Sequence, residues 1–244
     1  MSKLKYLVGV IIVVDLVLIF PIMFSWEAIG RFLKVAAFPE VFTTLVVEIT
    51  LLILTSLVAY LVSRIFEPFA WLALVGLAVV FSPELNGYNR VWWTAGLIFF
   101  LTGLPLLTLF FALKKSKVKD IDFTRREERT PYILVILFYW ALGLIFTWGV
   151  GGPKVIIKIL LLAFIIGLVV LIVNFYYKIS NHALGFTVAS LLLNEFYDWR
   201  YFWLLFFIPL IFWSRYAQKK HTLGQLFLGT VLGVAGWLLW RGIN

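Results

Sequence analysis

A chain of 244 residues that is 63% hydrophobic and 14% charged, with mean hydropathy +1.03, lies far outside the composition of soluble domains and reads as an integral membrane protein. The net charge of +9 does not point to nucleic acid, because the 21 Lys and Arg fall in short loops between apolar runs, where phosphate headgroups and topology account for them. The absence of cysteine excludes a disulfide, a thiolate nucleophile and a Cys-ligated metal.

Lys3 and Lys5 precede an apolar run to about Phe24, too long for a signal-peptide core and without a small-x-small cleavage site, so it is expected to stay as a first span. A second span is expected over 41–62. A third, over 69–81, is short for a bilayer core of about 30 Å and fits a tilted or re-entrant helix. Residues 82–90 (SPELNGYNR) form a turn-rich loop, and 91–113 is a span kinked or cushioned at Pro105. The segment 114–129 then divides the chain, with seven basic and four acidic residues. Beyond it, apolar segments at 131–148, 155–177, 182–193, 201–213 and 221–240 are separated by Gly-Gly-Pro at 151–153 and by NEFYDWR at 194–200. The expected architecture is all-α: a polytopic transmembrane helical bundle of about nine spans, with N-terminal helices over 1–90 and a core over 91–244. Asp15 and Glu48, inside the first two spans, are assigned to structure, since neither has an evident basic partner.

The chemistry-bearing residues sit at the boundaries of the C-terminal segments. Ser214 and Arg215 close one apolar run, and His221 opens the next after five residues. A helix starting at His221 brings Gln225 one turn along on the same face, where its amide oxygen can orient the imidazole. The other of the two histidines, His182, opens a further apolar segment in KISNHALGF. Singly, Arg215 reads as an interfacial anchor and each histidine as a helix-end residue. Their shared spacing is what gives them functional weight.

This pattern resembles the type 2 phosphatidic acid phosphatase superfamily, whose signature runs K-x6-R-P, then P-S-G-H, then S-R-x5-H-x3-D. Ser214, Arg215 and His221 match the third motif, with Gln225 in place of its aspartate. Ser180 and His182 match the second, with Ile179 for proline and Asn181 for glycine. In the first, FTRREERTPY supplies Arg129 with Pro131 one residue late, and Asp122 stands where the family has lysine. The resemblance covers about 114–240 and implies a six-helix core and phosphoryl transfer through a phosphohistidine.

The resemblance assigns His221 as nucleophile, His182 as the acid that protonates the leaving lipid oxygen, and Arg215 and Arg129 as guanidinium ligands of the phosphoryl oxygens. Ser180 and Asn181 would add donors at a helix start, and Lys119 or Arg126 would replace the missing lysine. No cofactor or metal is required. The implied function is an enzyme, a hydrolase of lipid phosphomonoesters or diphosphates of isoprenoid or glycerolipid type. Its partners would be the substrate and the bilayer, with no nucleic acid. The alternatives are a phosphotransferase that uses the same histidines with an alcohol acceptor, and a non-catalytic lipid-binding or transport member of the superfamily.

Nine spans return the 114–129 loop, His182 and the 215–221 turn to one membrane face, as a shared site requires. That face carries two thirds of the Lys and Arg residues, which makes it cytoplasmic by the positive-inside rule, in the cell membrane if the source is prokaryotic.

Overall fold

The computed structural model describes residues 40–115, 123 and 127–243, with side chains from residue 45. The expected first span with Asp15, and the loop residues Lys119, Asp122 and Arg126, lie outside the described residues. Every regular element among the described residues is a helix: α1 (Glu40–Ile65), α2 (Pro68–Val79), α3 (Arg90–Ile98), α4 (Leu104–Lys114), α5 (Arg129–Gly149), α6 (Lys154–Tyr176), α7 (Asn181–Phe196), α8 (Ile208–Ala217) and α9 (Leu223–Gly242). By packing, the chain divides into two compact units, the boundary falling inside α1 between Ala59 and Tyr60. The described part of the first unit is helix alone, with Leu52, Ile53 and Leu57 exposed along it.

Among the described residues, five stretches are long and apolar enough to cross a bilayer: Leu45–Val79, Arg90–Lys114, Arg129–Gly149, Lys154–Tyr176 and Leu223–Gly242. The first, 35 residues, is interrupted at Phe66 and Glu67, where Glu67 takes an extended backbone and Pro68 restarts the helix as α2. In the second, Pro105 has no N–H to give the Leu101 carbonyl, and the ladder relaxes into a π turn over Phe99–Gly103. The indole N–H of Trp140 takes that carbonyl at 3.0 Å, and the Tyr132 hydroxyl donates to Pro105 O at 2.7 Å. Side chains of α5 thereby donate to carbonyls on both sides of the helix break.

The segments expected as spans seven and eight behave differently. Helix α7 has 16 residues, about 24 Å, and 12 of them are buried, including Thr187, Ser190 and Asn194. It runs inside the protein, so it needs neither the length nor the uniform apolarity of a lipid-facing helix. The stretch expected over 201–213 is a 3-10 turn, Phe202–Phe207, followed by the ten-residue α8.

Small residues let neighbours approach α7 closely. A Cβ on Gly229 of α9 would lie 2.6 Å from Ser180 O, and one on Gly233 would lie 2.8 Å from Thr187 Cβ and 2.9 Å from Leu184 O. Four residues apart, they form a small-xxx-small contact through which α9 meets the backbone of α7. On another side, a Cβ on Gly185 would lie 2.9 Å from Pro68 Cβ, which seats the start of α2 against the first turn of α7. Dispersion and apolar packing by Leu137, Trp140, Ile159, Leu160, Leu184 and Val188 hold α5, α6 and α7 together.

Candidate functional site

The turn between α8 and α9 is built by its own hydrogen bonds. Lys219 adopts φ 54, Lys219 N–H donates to Tyr216 O at 2.9 Å, and Lys220 N–H donates to Arg215 O at 3.1 Å. This is a Schellman ending, here with lysine where glycine is usual. The chain then turns through His221 to Thr222, which caps α9. His221 therefore precedes the helix instead of opening it, and Gln225 is the third residue of α9.

Thr222 and Gln225 form a reciprocal capping box. The Gln225 amide oxygen Oε1 accepts from the Thr222 backbone N–H at 3.3 Å and faces His221 Nδ1 at 3.1 Å. A backbone N–H can only donate, so the atom it meets is the oxygen. The hydrogen bond to His221 then requires the proton on Nδ1. The lone pair of the neutral ring is left on Nε2, the form a nucleophile needs. Burial, followed by the charges of Arg129, Lys178 and Arg215, pushes the His221 imidazolium down to about 2, against which the Gln225 bond acts in the opposite direction.

His182 lies in the first turn of α7. Ser180, the residue matched to the second motif, acts as that helix's cap: its hydroxyl accepts from Ala183 N–H at 3.4 Å, and its own N–H donates to Gln225 O at 3.1 Å. The bond to Gln225 O joins the start of α7 to the first turn of α9, and Ser180 is not among the residues lining the cavity described next. Lys178 Nζ donates to Lys220 O at 3.0 Å, tying the same two segments together.

Arg129, His182, Arg215 and His221, with Asn181, line one cavity of about 60 Å³. A water needs about 10–15 Å³ on such a measure, so the space suits a group of about four to six heavy atoms. The four ionisable residues are between 1% and 6% exposed. Arg129 is held by carbonyls, with Nη1 donating to Ile179 O at 2.8 Å and Nε to Phe123 O at 3.2 Å. Arg215 Nη1 donates to Ser63 Oγ. Two buried guanidiniums beside two imidazoles make the cavity electropositive, and an anion entering it would relieve their desolvation. A second, apolar cavity of about 120 Å³ shares Pro68, Phe69, Ile133, Ile136 and Asn181 with the first, and continues between α5, α6 and α7 along Leu137, Trp140 and Leu184.

Ser63 and Glu67, near the α1–α2 joint, are site residues that sequence reasoning passed over. Ser63 Oγ lies 3.5 Å from His182 Nε2, and Glu67 Oε2 lies 3.6 Å from the same nitrogen. One signal for them is present in the sequence. The span count places the loop SRIFEP at 63–68 on the same membrane face as the histidines. Among the described residues no group of three or more His, Asp or Glu is placed to hold a metal ion.

Comparison of the chain with protein-family models, curated proteins and solved structures finds no match.

Proposed function

We propose that this chain is an integral-membrane lipid phosphatase, a divergent member of the type 2 phosphatidic acid phosphatase superfamily, acting on a lipid phosphomonoester or diphosphate through a phosphohistidine. The observation that carries the proposal is one small electropositive cavity lined by Arg129, His182, Arg215 and His221, from three separate parts of the chain. His221 Nε2 attacks phosphorus as the bond from phosphorus to the lipid oxygen breaks. That oxygen leaves with its electron pair and takes a proton from His182. Water then cleaves the phosphohistidine, giving its proton to the now neutral His182 and restoring both rings. Arg129 and Arg215 neutralise the phosphoryl oxygens throughout.

The adjoining apolar cavity suits the first part of a lipid chain lying between the helices, which favours a lipid phosphate over a soluble one. In this function α7 and the stretch Phe202–Ala217 complete the six-helix core, and the site opens to the cytoplasmic side of the cell membrane. Purified protein should release phosphate from a panel of prenyl phosphates, prenyl diphosphates, phosphatidic acid and phosphatidylglycerophosphate. Release should vanish in His221→Ala and His182→Ala. Absence of release from every substrate by folded, monodisperse protein would overturn the hydrolase assignment. Release that survives His221→Ala would overturn the phosphohistidine.

A further inference from the structure

We infer that Glu67, from outside the matched motifs, is the carboxylate that holds His182 in its protonated form, so that charge support has moved from the nucleophilic histidine to the acid. This rests on the phosphatase function proposed above. Among the described residues lining the phosphate-sized cavity, Glu67 is the one that is acidic. Its Oε2 is shut off from solvent and makes no hydrogen bond. It lies 3.2 Å from Arg64 Nη1, a charge contact without hydrogen-bond geometry, and 3.6 Å from His182 Nε2. A buried carboxylate oxygen in that state gains most from a cationic neighbour that can turn an N–H toward it. Arg64 supplies one cation, and the His182 imidazolium is a second neighbour, able to turn its Nε2–H toward the oxygen across 3.6 Å.

The division of labour follows from the two nitrogens. With Nε2–H directed to Glu67 and Ser63, the proton for the departing oxygen comes from His182 Nδ1. The bond from phosphorus to the lipid oxygen breaks, that oxygen takes the Nδ1 proton, and His182 becomes neutral with Nε2–H still facing Glu67. Among the described residues, the charged and titratable groups around the pair are Arg64 at the end of α1, Arg129 and Tyr132 on α5, Arg215 on α8, and His221 with Lys178 at the α7–α9 junction. All the permanent charges among these are positive and oppose a second cation. Glu67 is the group that offsets them. At the other histidine Gln225 is uncharged, and the neutral Nδ1–H ring is kept. Environments that push two like residues apart in this way define an acid and a base or nucleophile.

Glu67 is a positioning residue, acting through His182, and the test separates that role from a structural one. Kinetics of wild type, Glu67→Gln and Glu67→Asp are measured on an alkyl phosphate, whose leaving oxygen needs a proton, and on nitrophenyl phosphate, whose leaving group departs as a stable anion. Glu67→Gln should lower kcat/KM on the alkyl phosphate by about 10–100-fold, with loss beginning at lower pH, and Glu67→Asp should recover part of it. The nitrophenyl substrate should change by less than about threefold. Equal losses on both substrates, or no loss on either, would overturn the role of Glu67 and leave the phosphatase standing. An activity-independent measurement uses the fact that the chain has only two histidines. In His221→Ala protein with labelled histidine, the single ring signal should titrate about one pH unit lower when Glu67→Gln is added. An unmoved midpoint refutes the pairing even if no substrate is ever turned over. A moved midpoint, where the wild-type protein turns over no substrate, upholds the pairing and refutes the phosphatase.

Discussion

Replacing Gln225 by glutamate changes one charge and almost no geometry. The carboxylate keeps an oxygen where Oε1 now accepts from Thr222 N–H and His221 Nδ1–H, and Glu at the third helical position is a normal member of a capping box. A unit charge at 3.1 Å with an effective dielectric of about 20 amounts to about 5 kcal/mol. Measured effects of a carboxylate this close are smaller, about 1–3 pH units. Starting from about 2, His221 would then lose its proton no higher than about pH 5, so the ring stays neutral and nucleophilic at pH 7. Positive charge develops on the ring as nitrogen bonds to phosphorus, and about 1.4 kcal/mol of added stabilisation there gives about a tenfold higher kcat. The new carboxylate would also sit behind His221, a residue lining the cavity proposed to take the phosphate, so KM should rise severalfold. Single-turnover phosphate release from a radiolabelled prenyl or alkyl phosphate separates the two effects. An unchanged or lower kcat in Gln225→Glu protein with wild-type thermal stability would refute the role given to His221. Gln225→Asp carries the same charge on a shorter arm and should show the gain to the extent that the arm reaches Nδ1.

Several other perturbations test separate parts of the structure. Gln225→Leu removes the cap bond and the ring's anchor together, and should cost about 1 kcal/mol of stability by denaturation in detergent and lower kcat about 10–100-fold. His221 is buried neutral with its folded value far below the unfolded 6.5, so its contribution to stability is complete above pH 6.5 and is lost as pH falls toward 2. Between pH 7 and pH 5 the loss is about 2 kcal/mol, and it should be missing from His221→Ala in thermal scans at the two pH values. Gly233→Ala places a methyl against Thr187 and the Leu184 carbonyl, and should lower stability by about 1–3 kcal/mol and reduce turnover by spreading α9 from α7. Lys219→Gly relieves a left-handed lysine at an exposed turn and should raise stability by about 1 kcal/mol with activity retained.

Features that depend on composition, or on neighbours within a turn or two, were legible in the residues alone. Hydropathy was enough to establish a helical membrane protein, because a run of about 20 apolar residues has few alternatives in a bilayer. The spacing of His221 and Gln225 pointed to the contact between the amide oxygen and the ring, but by a helix face that His221 does not share; the capping box turns the Gln225 side chain back to it instead. Burial of a segment within the protein, by contrast, came from long-range packing. Helix α7 is flanked by protein on all sides that matter to its burial, and its polar Thr187, Ser190 and Asn194 carry no lipid-facing signal. Tertiary structure also recruited Ser63 and Glu67 to His182, 119 and 115 residues away in sequence. Their meeting depends on Pro68 resting where Gly185 has no side chain, and on the helix break that turns Glu67 inward. Neither a hydropathy window nor a motif contains a contact that exists only because two helices lack the atoms that would keep them apart.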